Sequence, residues 1–264
     1  MIKLKYCSIS MAMLLALTLW SGVVLAAPAK KSAPQQDNSK AAELLQTGIQ
    51  RANQGQYDQA LTYFDASLKA SSKNPDAFLN RGRVLMIQGK YGAAASDLDR
   101  AIKLNPDQDD YYLTRGMIYR LMGDFPRAIK DFTKAVNLDS SNTEALINRA
   151  AVFFDTGEHE NALQDLDRLI EINPKMVNAL GNRAFIYEQL GRYDEAIKDL
   201  GSIIALEPNN SMAIKHLGFI SRRKGELPKA LRWYKMAFQM ETDSSMKKKI
   251  QEEINELERK IASK

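Results

Sequence analysis

Side chains suited to proton transfer or metal ligation are scarce in this chain of 264 residues, which has two histidines and one cysteine. A metal centre or an acid–base site needs several such groups converging within hydrogen-bond or ligation distance. His159 and His216 are far apart in sequence, His159 in a turn and His216 on a helix, and neither has close partners of the required type. No phosphate-binding loop and no strained nucleophile turn is present. Neighbouring carboxylates such as Asp97 and Asp99 recur along the chain and read as solvated or salt-bridged helix residues instead of a hydrolytic pair. The sequence therefore predicts no catalytic residue, no metal site and no cofactor.

Charge offers a second kind of chemistry. Arg81, Arg115, Arg149 and Arg183 recur every 34 residues, and Asp97, Asp131, Asp165 and Asp199 each follow one of them by 16. The rigid guanidinium fork suits two-point bonding to a carboxylate. The same pair repeated at the same offset predicts a structural ladder within or between repeating units. Asn80, Asn148 and Asn182 precede three of these arginines and are expected to bond to nearby backbone or to line an inner surface.

Something with a 34-residue period must position these groups, and small residues mark it. Gly55, Gly89, Gly123, Gly157, Gly191 and Gly225 are each followed five residues later by an alanine: Ala60, Ala94, Ala128, Ala162, Ala196 and Ala230. A fixed period of this length is the mark of stacked helix pairs. The units are 41–74, 75–108, 109–142, 143–176, 177–210 and 211–244, each with an apolar-periodic run, a turn at glycine and a second run. Pro106, Pro174 and Pro208 close second runs, where proline stops a helix. Gly82, Gly116, Ala150, Ala184 and Gly218 share the eighth position of their units. Glycine inside a helix costs about 1 kcal/mol relative to alanine, so its repeated use there predicts close helix contact. After the last unit, Met246, Ile250, Ile254, Leu257 and Ile261 form one apolar stripe. Residues 245–264 are expected to cap the final pair.

Gly82, Leu85, Gly89, Tyr91, Ala94, Leu98, Ala101 and Pro106 in the second unit resemble the small, aromatic and proline positions of the tetratricopeptide repeat family. So do Gly116, Tyr119, Gly123, Phe125, Ala128, Phe132 and Ala135 in the third. The resemblance runs continuously over residues 41–244 and weakens at both ends, as terminal repeats with one neighbour allow. Arg51 stands where a ring is common, Ser67 and Ser72 replace the later alanine and proline, and Ser221 and Thr242 depart in the sixth unit. The family more often has an aliphatic residue where Arg81 and its copies stand.

The resemblance implies an all-α fold: a right-handed superhelical solenoid of six antiparallel helix pairs plus a C-terminal capping helix. The first helix of each pair would line a concave groove that holds a peptide or a partner helix. Carried over residue by residue, the groove candidates begin with Leu79, Arg83, Met86 and Ile87, then Leu113, Met117, Arg120 and Leu121. Ile147, Phe154 and Asp155 follow, then Phe185, Glu188 and Gln189, and last Lys215, Phe219, Arg222 and Arg223. Leu45 and Ile49 stand where some relatives keep lysine and asparagine for a terminal carboxylate, so that clamp is not expected. Arg222, Arg223 and Lys224 form a basic end that either attracts an acidic segment or is a solvated surface run. The implied function is a non-enzymatic scaffold or adaptor in the cell envelope. The alternative is a self-associating structural repeat protein.

Composition and address bound the partners. The net charge of +5 is modest and the basic residues are interleaved with acids, so a protein or peptide partner is expected and nucleic acid is not. Residues 1–26 have a lysine head, an apolar run and small residues at Val24 and Ala26, the pattern of a signal peptide cleaved after Ala26. Retained instead, the same segment would anchor the chain to the membrane. Cleavage removes Cys7, leaving no thiol. Residues 27–40 read as a flexible polar leader. The expected location is the periplasm or outside the cell, as a monomer or weak homodimer.

Overall fold

A computed structural model describes residues 36–263; the signal segment and most of the leader expected from sequence lie outside the described residues. Among the described residues there are thirteen helices and no strand. They are α1 (Gln36–Asn53), α2 (Tyr57–Ala70), α3 (Pro75–Ile87), α4 (Tyr91–Leu104), α5 (Asp109–Leu121), α6 (Phe125–Leu138) and α7 (Thr143–Asp155). These are followed by α8 (His159–Ile172), α9 (Val177–Gln189), α10 (Tyr193–Leu206), α11 (Ser211–Arg223), α12 (Leu227–Met240) and α13 (Ser244–Ala262). None of them is long and apolar enough to cross a membrane. From α2 on, every second helix up to α12 starts 34 residues after the last, as do α3, α5, α7, α9 and α11. Two departures from the sequence reading concern boundaries. α1 begins at Gln36, so residues 36–40 are helical and not leader; no proline or glycine separates them from the first apolar turn. His159 opens α8 instead of lying in the turn.

The chain forms two compact units, residues 1–158 and 159–264. In the first, α1/α2, α3/α4 and α5/α6 pack as pairs, α2, α4 and α6 each also touch the next first helix, and α7 closes the series. In the second, α9/α10 and α11/α12 are the pairs, α8 packs on α9, and α13 packs on α12. Ile250, Ile254 and Leu257 of α13 are buried with Tyr234 and Ala237 of α12. The opposite face of α13, with Lys248, Glu252, Asn255 and Arg259, is exposed. A charged outer face ends a repeat stack because it offers no apolar surface to another pair.

Local sequence explains where the helices start and stop. Asn74, Asn142, Asn210 and Asp243 accept backbone N–H bonds at the starts of α3, α7, α11 and α13, satisfying donors that a helix leaves open. Each pair turns on a glycine in the left-handed region; Gly89 has φ of 74°. Its N–H bonds to Met86 O and that of Lys90 to Leu85 O, the double closure that needs a residue tolerant of positive φ. The same two bonds recur at the other five turns.

The eighth position sets how closely a pair packs. A Cβ added at Gly116 would lie 2.7 Å from Phe132 Cε1, and one at Gly82 would lie 2.4 Å from Leu98 Cδ2. In the fifth unit the eighth position is alanine, and Ala184 and Leu200 are buried in one cluster. Ring and missing side chain are complementary in volume.

Sideways, the arginine series ties neighbours together. Arg115 donates through Nε and Nη2 to Asp131 at 2.7 and 2.8 Å, and through Nη1 to Asp99 of the preceding pair at 2.6 Å. Arg81 bridges Asp97 and Asp65 in the same way, and Arg183 bridges Asp199 and Asp167. Hydrogen bonding to Asp97 and Asp199 holds the Arg81 and Arg183 guanidiniums well above the ordinary arginine value. Arg149 meets a hydroxyl in the place of that second carboxylate, donating to Thr133 Oγ1 at 3.1 Å; Asp165 is buried on α8 of the second unit. Rings flank the guanidiniums, Phe78 at 5.7 Å from Arg81 and Tyr112 at 5.8 Å from Arg115, a favourable cation–π arrangement. That contact also explains an arginine where an aliphatic side chain is usual.

Two predictions follow from packing and from burial. Gly116→Ala gains helix propensity but overpacks Phe132, so a net loss of about 1–3 kcal/mol is expected in urea unfolding. Adding Phe132→Leu should restore at least half of it; no loss in the single variant would refute the volume argument. In the ladder, the Asp131 side chain is 5% exposed and that of Asp99 58%. Asp131→Asn should therefore cost about 2–4 kcal/mol, because it leaves a charge poorly paired away from water. Asp99→Asn should cost less than about 1 kcal/mol, and Thr133→Asp should stabilise by a similarly small amount. Equal losses at the two aspartates would show that burial does not separate the rungs.

Candidate functional site

Within the first unit, α3 touches α1 and α5, and α5 touches α7, so the first helices form one layer. On α3, Asp76, Asn80, Arg83 and Ile87 are spaced by fours and threes and share one face. The equivalent rows are Asp110, Thr114, Met117 and Leu121 on α5, with Arg120 beside Leu121, and Glu144, Asn148 and Asp155 on α7.

Polar links cross this face from one first helix to the next. Arg83 Nη2 donates to the Asp110 carboxylate, while its Nη1 is buried without an acceptor among the described residues. Glu144 faces the same pair; burial pushes its carboxyl above the usual range, with Arg83 opposing the shift. The Tyr111 hydroxyl donates to Asp76 at 2.9 Å, and burial pushes this phenol well up. Arg120 Nη1 donates to Asn148 Oδ1 at 3.1 Å. Burial lowers Arg120 and raises Asp155, each partly countered by the other's charge. Asn80 and Asn148 donate through Nδ2 to the backbone oxygens of Asp76 and Glu144. Asn80 Oδ1, however, is buried without a donor: α1 has Ala52 in the place from which Arg120 reaches Asn148.

The apolar candidates divide by accessibility. Leu79, Leu113 and Met86 are buried, so they belong to the core and not to an open groove; the first helices touch along the layer and close over these positions. Met117, Ile147 and Phe154 are half-buried. Ile87 and Leu121, 42% and 51% exposed, carry the open apolar surface of this face.

The second unit differs. Glu188 is buried, not open, and its Oε2 lies 2.7 Å from His216 Nδ1, with the Phe185 ring edge-on to the imidazole at 6.4 Å. His216 thus has a close acidic partner that sequence spacing does not reveal. Gln189 is exposed and Phe219 half-buried. Lys215 Nζ sits 3.8 Å from Met246 Sδ of α13, and burial lowers its amine. Arg222 is held by Glu253 and Glu256 of the same helix. Arg223 stacks over Phe219 and donates to Tyr193 Oη at 3.3 Å, and Lys224 pairs with Asp194 at 3.0 Å. The basic end seen in sequence is therefore engaged by the chain's own side chains, Arg222 and Lys224 by carboxylates and Arg223 by rings.

Sequence reading missed Asp65, Asp99 and Asp167 as ladder partners, although each precedes an arginine by the same 16 residues. It also missed the links Arg83–Asp110, Arg120–Asn148 and Glu188–His216. Their offsets of 27, 28 and 28 residues are a usable signal only once the layer of first helices is known. Among the described residues no group of three or more His, Cys, Asp or Glu side chains could hold a metal ion.

Two family models described as tetratricopeptide repeat match the chain, one over residues 45–109 and 113–177, the other over 149–215. No curated protein matches it significantly in sequence. Among solved structures, MamA is 24% identical, with a TM-score of 0.58 over 61% of this chain and 94% of that one. YrrB, described as a TPR protein with an unusual peptide-binding site, is 20% identical, with a TM-score of 0.57 over 67% and 92%. A tetratricopeptide repeat protein from Parabacteroides merdae is 21% identical, with a TM-score of 0.54 over 80% and 82%. At such identities the likeness speaks for the fold. With family models covering most of residues 45–215 and the same helix period continuing past the C-terminal end of that range, the chain belongs to the tetratricopeptide repeat family.

Proposed function

We propose that the protein is a non-enzymatic scaffold that holds a peptide or a partner helix on the first-helix face, and that it does so in the cell envelope. The observation that carries the binding reading is the exposure of Ile87 and Leu121 beside converging polar groups on one face of a rigid helix layer. Apolar anchors among placed polar groups are what a helix or extended peptide needs for affinity and register. The fold is that of protein-binding repeats, and YrrB, similar in fold, is described as having a peptide-binding site. The envelope address is supported by the signal-like residues 1–26 alone.

Affinity capture from envelope extract, comparing wild type with Ile87→Ser/Leu121→Ser and with Leu104→Ser/Ile172→Ser, tests the face. Leu104 and Ile172 are exposed on second helices and serve as the control. Partners are expected to disappear with the first variant and persist with the second. Identical partner sets from all three would place the binding surface elsewhere. Cell fractionation with N-terminal sequencing tests the address: a cytosolic chain beginning at Met1 would overturn it.

A further inference from the structure

We infer that the first-helix face of the first unit takes a cationic peptide, whose lysine or arginine side chains meet Glu144 and Asp155 while an apolar side chain packs on Ile87 and Leu121. This rests on the reading of that face as a binding surface and adds the chemistry of its occupant.

The argument begins with charge. The chain as a whole is basic, with 37 lysines and arginines against 32 acids. This face runs the other way: Asp76, Asp110, Glu144 and Asp155 share it with only Arg83 and Arg120. Asp76 is satisfied by the Tyr111 hydroxyl and Arg83 is engaged by Asp110. Arg120 directs its hydrogen bond to a neutral amide, Asn148. Glu144 and Asp155 are exposed and accept no side-chain hydrogen bond among the described residues. Protein nevertheless surrounds both closely enough to push their carboxyls up by burial. A carboxylate walled by protein, open to solvent and short of donors gains most from an arriving ammonium or guanidinium. An acidic segment would meet a face whose carboxylates outnumber its guanidiniums, and like charges brought together across an interface disfavour a partner.

Apolar surface sets the second requirement. Ile87 lies one turn beyond Arg83, and Leu121 follows Arg120, so open apolar groups alternate with the charged row. A purely polar polycation would leave them uncovered. The matching segment carries both basic and bulky apolar side chains at helical spacing.

Fluorescence anisotropy with the full chain tests this, using two short labelled peptides with identical leucine and isoleucine positions, one with lysines between them and the other with glutamates. At low salt the lysine peptide is expected to bind at least about tenfold more tightly, with the gap narrowing as salt rises. Glu144→Gln/Asp155→Asn should weaken the lysine peptide roughly five- to tenfold with an unchanged helical circular dichroism spectrum. Ile87→Ser/Leu121→Ser should weaken it as well. A glutamate peptide that binds as tightly as the lysine one, or indifference to Glu144→Gln/Asp155→Asn, overturns the cationic partner. If the bound peptide is still lost with Ile87→Ser/Leu121→Ser, the face itself survives as a binding surface. Failure of both peptides to bind, or indifference to Ile87→Ser/Leu121→Ser, overturns both readings.

Discussion

Everything in this protein depends on how closely two antiparallel helices approach within a pair. The eighth position fixes that distance by omitting a side chain where a ring or leucine of the second helix must fit, as Gly116 does for Phe132. The left-handed glycine of the turn fixes the direction of return, because the two backbone bonds that close it allow one geometry. With separation and direction both set, each pair becomes a rigid unit that can be stacked without adjustment. Insertion or deletion of one residue between these two points would move the eighth position off its ring. The unbroken 34-residue period is the sequence consequence of that constraint.

Stacking then creates a second demand. A pair buries an apolar flank only against its neighbours, and apolar contact alone is indifferent to sliding. The arginine ladder removes that freedom. Arg81, Arg115 and Arg183 are each bound at two points to a carboxylate of their own pair and at one point to a carboxylate of the pair before. The fork geometry tolerates little displacement, so the ladder contributes register more than energy. A buried ion pair is commonly close to neutral against its desolvation cost. Its value here lies in holding the first helices at fixed offsets, so that side chains on their open face come from three helices to one place.

The parts of this structure legible in the sequence are those governed by local repetition. Turn glycines, the small eighth position and the Arg–Asp offset each act within one pair or between consecutive ones, and repetition lifts them above chance. The cap was legible for the same reason, since the stripe from Met246 to Ile261 has a helical period and a charged opposite face. The first-helix face was legible only in outline. Which of its residues stay open depends on how tightly the layer closes, and that closure buried Leu79 and Leu113 while leaving Ile87 and Leu121 out. The partners of Arg83, Arg120 and His216 sit on an adjacent first helix, with a whole second helix intervening in sequence. No local spacing rule reaches across that gap. Arg222 shows the cost most plainly: its two glutamates lie on α13, which from sequence is an apolar cap and in the fold also neutralises the sixth first helix.

These two layers of organisation divide the charged residues by role. The ladder charges of Arg81, Arg115 and Arg183 are each paired with two carboxylates and contribute shape. Charges on the first-helix face of the first unit are paired in part, and the imbalance is negative in a chain that is positive overall. In the second unit the corresponding charges are closed by Glu188, Glu253 and Glu256, leaving little for a partner to complete. On the proposed reading of the first unit's first-helix face as a binding surface, selectivity for a partner would lie in that unbalanced charge. Under that proposal the open, donor-poor carboxylates Glu144 and Asp155 would carry most of it, because an arriving cation would replace water at groups the fold has already half removed from it.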